Sequence, residues 1–510
     1  MIGTSFAELV FIRIAILCVR YSAALYAAAL ACLVFVYGAP AWQFPAAHAL
    51  CLLLAAEATY ALFIWQPYKR RLLQPALHPP PLSRAERRAL FEQCLGNTTG
   101  VDTYLRGWFM GAEMKDICRE NMREFLLWAF FEQGCEGLDP DGPAHVRQDL
   151  DEYVALIEQR LGQRLADGRG PAKSLRLTLD AVPTAYRGLM WYLVIFLVDQ
   201  LTHILLTWNG CQYYARAPST ALDVFPPRPQ DFLSRRRSAA PALSYWFHPH
   251  SDDSKVPLIF FHGIGVGLWT YIRFLLELMP APGKQAPCSG VMAIEFLPVS
   301  FRLTAPPPDK TEFLRQMTRI LEHHGWASYA IASHSYGSVL TTHMLRSPSL
   351  GGRVASIVLI DPVTICLHLP SVAYNFTRRQ PRRANEWQLW YFASMDPAVA
   401  LCLGRNFFWR ENIIWKEDLM GSESMSGSVA SSKGRGAAVC LSGKDLIVDT
   451  AAVAEYLADQ GGLEVVTFPH LDHAQAFDDV VARQRLVRLI GARCSTVSQS
   501  SIDPAGTANQ

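Results

Sequence analysis

The hydrophobic and polar positions divide the chain into three stretches of different rhythm. Near the N-terminus apolar residues run almost unbroken. Residues 21–39, "YSAALYAAALACLVFVYGA", hold no charge, and residues 47–65, "AHALCLLLAAEATYALFIW", are interrupted only by Glu57. Each is long enough to cross a bilayer as a helix, so the pattern predicts a membrane anchor of two transmembrane helices over residues 1–75. From 76 to 216 the pattern becomes helical. Ser83-x-x-Glu86 reads as a capping box that opens a helix through about Leu95. A longer helix is expected near 111–133, and Val146, Leu150, Val154, Ile157, Leu161 and Leu165 recur on one face of another. From about 243 onward, short runs rich in Val and Ile alternate with helical stretches. Strands are expected near 243–248, 257–261, 291–296, 328–333, 354–360, 437–442 and 463–468. Buried strands alternating with helices imply an α/β architecture, a mostly parallel sheet covered on both faces.

Three segments interrupt this scheme. Residues 188–208, "GLMWYLVIFLVDQLTHILLTW", have the length of a third span, but Asp199 and His203 fall one helical turn apart on one face. A helix buried in protein or lying on the membrane surface accommodates that pair better than a span does. Residues 217–242, rich in proline and holding Arg235, Arg236 and Arg237, read as a linker with a solvated arginine run. Within the domain at 243–493, the insertion at about 362–435 is placed to act as a helical cap. It carries Trp387, Trp390, Tyr391, Phe407, Phe408, Trp409 and Trp415. These aromatics either face a membrane or cement the cap to the core, and both readings stand. Residues 494–510 read as a disordered tail.

Composition sharpens the picture in two ways. Half of the 510 residues are hydrophobic and 18% are charged, which favours membrane contact. A net charge of +2 offers nothing to a nucleic-acid partner. Twelve cysteines without a C-x-x-C pair read as reduced thiols. Arg13 and Arg20 precede the first apolar run, and Lys69, Arg70 and Arg71 follow the second. The positive-inside bias therefore puts both ends of the hairpin, and the domain that follows, on the cytosolic side. Glu57 at membrane depth is either functional or a structural group facing other helices.

The candidate chemistry lies where strands end. "IASHSYGSVLTTHML", residues 331–345, carries a strand into a sharp turn and then a helix, with Ser335 at the apex and Gly337 two residues on. Such a turn projects the serine hydroxyl above the sheet. The usual first glycine of Gly-x-Ser-x-Gly is Ser333 here, a small residue still. A serine needs a base, and the base needs an orienting group. Asp445 follows a strand and the Ser442-Gly443 turn, and His473 precedes the last helix in "VVTFPHLDHAQAF". Asp361, in "VLIDPV", is a rival acid, and His470 and Asp472 are rivals near the base. The fourth part is an oxyanion hole. Its donors are expected from the amide of Tyr336 and from "HGIGVG", where Ile264 is favoured and Gly263 or Gly265 are alternatives. His262 would orient that loop. No metal site is convincing, and acyl transfer needs no cofactor.

With His262-Gly263, the Ser333-His334-Ser335-Tyr336-Gly337 elbow, Gly443-Lys444-Asp445 and His473, the region 243–493 resembles the α/β-hydrolase superfamily. The resemblance implies a serine hydrolase with Ser335, Asp445 and His473 as its triad. Haloalkane and epoxide chemistry on this fold uses an acid at the elbow, so Ser335 argues against it. The expected substrate is a carboxylic ester, and a membrane-tethered enzyme favours lipid esters. A catalytically silent scaffold of the same fold and a thioesterase or acyltransferase are the alternatives.

Overall fold

The structure, a computed structural model, describes residues 2–134, 144–279, 286–421, 435–458 and 462–495. Eight strands form one sheet in the order β1-β2-β4-β3-β5-β6-β7-β8. They are β1 Gln212–Tyr214, β2 Ser244–His248, β3 Leu258–Phe261, β4 Val291–Glu295, β5 Tyr329–His334, β6 Val354–Ile360, β7 Gly436–Ser442 and β8 Leu463–Phe468. β2 pairs antiparallel with β1 and β4, and all other pairings are parallel. Every residue of β3, β4 and β5 is buried, as an interior parallel sheet requires. Side chains alternate between two cores. Phe260, Ala293, Ala332 and Val358 face one, and Ile259, Phe261, Ile331 and Ile357 face the other.

The helices that matter to the site are, in chain order, α1 Phe6–Arg20, α2 Ser22–Tyr37, α3 Pro45–Leu72, α4 Arg84–Gly96, α5 Val101–Trp108, α6 Arg119–Phe131, α7 Ala144–Leu161, α8 Leu189–Trp208, α9 Gly337–Leu345, α10 Pro370–Thr377, α11 Ala384–Gln388 and α12 Val480–Cys494. α4 opens on the expected capping box, with Ser83 N donating to Glu86 at 2.9 Å. α5, α6 and α7 share one continuous core with a face of the sheet: Leu105, Phe125, Leu150 and Val154 belong with Ile259, Phe261 and Ile331.

Several expectations are corrected. The sheet begins at Gln212, inside the stretch read as helical, because a three-residue strand is too short to show a period. Residues 217–242 are not a free linker. Arg228 is 1% exposed and bonds Asp199 and Glu295, and Arg237, though exposed, donates to the carbonyls of Arg216 and Phe232. The helix expected at 111–133 begins at Arg119, after a short turn at Met114–Asp116. Residues 422–434 of the cap and the tail from 496 lie outside the described residues.

Among the described residues, two helices are long and apolar enough to cross a membrane, Pro45–Leu72 and Leu189–Trp208. The pair Phe6–Arg20 and Ser22–Tyr37 would pass the same test together but is bent by 76°. α2 and α3 form the expected hairpin, which is exposed at most positions from 23 to 56, with Ala41 and Ala47 buried. α3 runs further than the apolar run predicts. Tyr60, Trp65, Tyr68 and Leu72 are buried in the body of the protein. Glu57 is structural: its carboxylate accepts from Tyr186 Oη at 2.7 Å and from the amide of Leu189 at 2.9 Å, at the N-terminus of α8.

Candidate active site

Three loops at the C-terminal ends of strands meet at one corner of the sheet. After β5 the chain turns into α9 through Ser335, which is held at φ +51°. A non-glycine residue there is strained, and the close approach of strand and helix holds it. A methyl group on Gly337 would lie 2.4 Å from the Phe261 carbonyl oxygen, so position 337 admits only glycine. Ser333 fits where glycine is usual because its hydroxyl accepts from Thr341 Oγ1 of α9 at 2.8 Å. The extra atom becomes a strand-to-helix hydrogen bond in a site that is 0% exposed.

Ser335 Oγ lies 2.8 Å from His473 Nε2, and His473 Nδ1 lies 2.7 Å from Asp445 Oδ2. The other oxygen of Asp445 accepts from the amides of Ile447 and Val448 at 2.7 and 2.9 Å. The three residues read from sequence are thus brought into one line. The rival acid is elsewhere. Asp361 accepts from the amide and hydroxyl of Ser442 at 2.7 and 2.9 Å and from the amide of Ala474 at 3.1 Å. It braces the loops that carry Asp445 and His473 without touching the imidazole. Asp472 accepts from the amides of His473 and Leu446, and His470 is exposed.

Burial and charge oppose each other at His473. Burial pushes its pKa down, but the carboxylates of Asp445, Asp361 and Asp472 outweigh it and raise the value to about 9. Asp361 is pushed up to about 6 by burial and by the charge of Asp445. Burial holds His334 well below its ordinary value, so this ring is neutral. Its Nδ1 accepts from Tyr271 Oη at 2.7 Å, and its Nε2 faces Asp361 at 3.9 Å, beyond hydrogen-bond reach. His334, Asp361 and His473 offer three ligand-type atoms within 4.8 Å of one another. Both His473 nitrogens already have partners, which ties this cluster to the serine line and not to an ion.

The expected oxyanion donors separate cleanly. Gly265 N donates to the Val299 carbonyl and Gly263 N to Tyr271 Oη, each at 3.1 Å, so both alternatives are corrected. Neither the Ile264 nor the Tyr336 amide has an acceptor among the described residues. Close packing explains the glycine at 263 instead, since a methyl group there would meet Ser335 Cβ at 2.8 Å. His262 orients the loop, accepting from Phe296 N at Nε2 and donating to the Gly263 carbonyl from Nδ1.

Above Ser335 lies an apolar cavity of about 50 Å³. Ile264 and Tyr336 form its floor, Val363, Leu367, Phe376, Phe407 and Trp409 come from the cap, and Trp108, Trp128 and Leu177 come from the N-terminal helical region. Sequence reasoning missed the last three, which read as plain core of a separate unit. Their indoles are set by hydrogen bonds, Trp108 Nε1 to the His368 carbonyl at 3.1 Å and Trp128 Nε1 to Thr178 Oγ1 at 3.0 Å. None of the seven cap aromatics is exposed. Phe407 and Trp409 line the cavity, Tyr391 and Trp415 are buried in the cap, and Trp387, Trp390 and Phe408 are half-buried.

No family model and no curated protein matches the chain. Solved structures that resemble it include naproxen esterase (carboxylesterase NP) from Bacillus subtilis, at 12% identity and a TM-score of 0.33, covering 48% of this chain and 87% of that one. A membrane phospholipase A described as a bacterial virulence factor resembles it at 13% identity and 0.36, covering 68% and 99%. Haloalkane dehalogenase DatA from Agrobacterium tumefaciens C58 does so at 12% and 0.33, covering 49% and 93%.

Proposed function

We propose, from an α/β-hydrolase fold in which Ser335, His473 and Asp445 form one hydrogen-bonded line beneath an apolar cavity, that this chain is a membrane-associated serine hydrolase of lipid esters. The observation that carries the reading is the 2.8 Å contact of Ser335 Oγ with His473 Nε2, made at a strained elbow. Ser335 Oγ attacks the ester carbonyl as its proton passes to His473 Nε2. Asp445 holds the ring through Nδ1 and stabilises the imidazolium that forms. The amides of Ile264 and Tyr336 donate to the tetrahedral oxyanion, and losing one such donor costs about 3 kcal/mol of transition-state stabilisation. The C–O bond breaks, the alcohol leaves with the proton from His473, and water then hydrolyses the acyl-enzyme by the same path.

An apolar cavity supports an acyl chain as the group that is recognised. The exposed hairpin and the outer face of α8 support the membrane. On α8, Leu193, Leu197, Leu201, Ile204 and Trp208 are exposed, while Asp199 on the inner face is paired with Arg228 and Arg302. A vertical span would carry these ion pairs to mid-bilayer at great cost. α8 therefore lies along the membrane surface, and the hairpin keeps its two ends, and the hydrolase domain, on one side. Fluorophosphonate labelling of wild type and Ser335→Ala tests the nucleophile; undiminished labelling of the variant would refute it. A chain-length series of esters, assayed with and without liposomes, tests the substrate class. An optimum at acetate or butyrate that ignores liposomes leaves a general esterase.

A further inference from the structure

The outer face of α1 and the cap helix beneath it carry an inference that rests on the membrane-associated reading. α1 and α2 meet at Tyr21 with a bend of 76°. With α2 standing in hydrocarbon, α1 is turned close to the membrane plane. Both of its sides are apolar. One side, Ile12 and Ile16, is buried against Ala384 and Tyr391 of the cap. There the Arg13 guanidinium lies 4.0 Å over the Trp387 ring, and Ile2 N donates to Gln388 Oε1 at 3.0 Å. The other side exposes Phe6, Val10, Phe11, Ile14 and Leu17. An in-plane helix binds a bilayer through such a face.

The helix under α1 reaches the reaction centre. α11 carries Asn385, whose Nδ2 donates to Asp472 Oδ2 at 2.8 Å inside the protein. The other oxygen of Asp472 accepts from the amide of His473 at 2.7 Å and from that of Leu446 at 3.0 Å. One carboxylate therefore ties the cap to the loop of the base and to the loop of the acid. His473 is faced by the carboxylates of Asp445, Asp361 and Asp472 and by the neutral ring of His334. Asp472 is faced by Asn385 and Asp445.

We infer that α1 is a strap lying between cap and lipid, and that Asn385 is a positioning residue through which the seating of α1 on a bilayer sets His473. The partner is a lipid surface, and the link runs α1, α11, Asp472, His473.

The test uses the full chain, a soluble short-chain ester, and vesicles of phosphatidylcholine with phosphatidylglycerol. Wild type is expected to float with the vesicles and to turn over the soluble ester severalfold faster in their presence. Phe6→Ser combined with Phe11→Ser keeps the basal rate and loses the rise. Asn385→Ala still floats, loses the rise, and has the rising limb of its kcat/KM profile moved to lower pH, because Asp472 loses the hydrogen bond that favours its charged form beside the imidazole. A full rise with an unmoved limb in Asn385→Ala overturns the positioning role. Wild type that floats with no rise overturns the coupling. Wild type that does not float refutes the membrane reading itself, whereas unlabelled Ser335 in fluorophosphonate-treated wild type refutes the hydrolase reading.

Discussion

Two buried charge clusters lie at different edges of the sheet, and they are built on opposite terms. On the α8 flank, Asp199, Glu295 and Asp231 meet Arg228, Arg302 and Arg216, three carboxylates against three guanidinium groups. At the elbow, Asp445, Asp361 and Asp472 surround one imidazole, and among the described residues no arginine or lysine is among the largest influences on its charge. The balanced cluster neutralises itself and fastens α8 to the domain. The unbalanced one leaves its charge deficit on His473 and stabilises the protonated form of that ring. Charge balance, more than burial, separates the fastening from the proposed reaction centre.

The comparison can be broken or sharpened by substitution. Ser335→Ala should lower kcat by about a millionfold, the scale seen when a triad nucleophile is removed, with an unchanged circular dichroism melt. Asp445→Asn should cost about 10⁴ in kcat. Asp361→Asn should cost far less; an equal loss would mean that the acid has been misassigned. On the flank, Arg228→Met leaves Asp199 and Glu295 without their shared partner and should destabilise the fold by about 3–5 kcal/mol in chemical denaturation. Its kcat/KM profile with pH should stay where it is.

Smaller effects refine the elbow side. His473 accepts the serine proton only when neutral, and its value is raised to about 9, so kcat/KM should climb with pH until about 9. Removing a neighbouring negative charge lowers that value. Asp472→Asn should therefore move the limb to lower pH and raise the relative rate at neutral pH; a limb that moves upward, or stays, would show that Asp472 does not act on the imidazole. Ser333→Gly deletes one neutral hydroxyl pair with Thr341 and should cost about 1 kcal/mol or less in stability.

The hydrogen-bonded line of Ser335, His473 and Asp445 was legible because each of its members follows a strand with a recognisable ending: a serine before Gly337, an aspartate after Ser442-Gly443, a histidine before a helix. Local backbone demands left those marks. A strand-end turn admits few residues, and Ser335 at positive φ with Gly337 against the Phe261 carbonyl are such demands. The alternation of apolar runs likewise specified a parallel sheet, because burial on both faces imposes it directly on composition. That Asp445 and not Asp361 bonds His473, that the Gly263 and Gly265 amides are engaged, and that Trp108, Trp128 and Leu177 wall the cavity needed the folded chain. Each depends on groups far apart in sequence, and no local pattern encodes such a contact. The same holds for α8, whose apolar run alone fits a span. Only the pairing of Asp199 with Arg228 and Arg302, brought together by the fold, turns one face of that helix inward and leaves the other exposed.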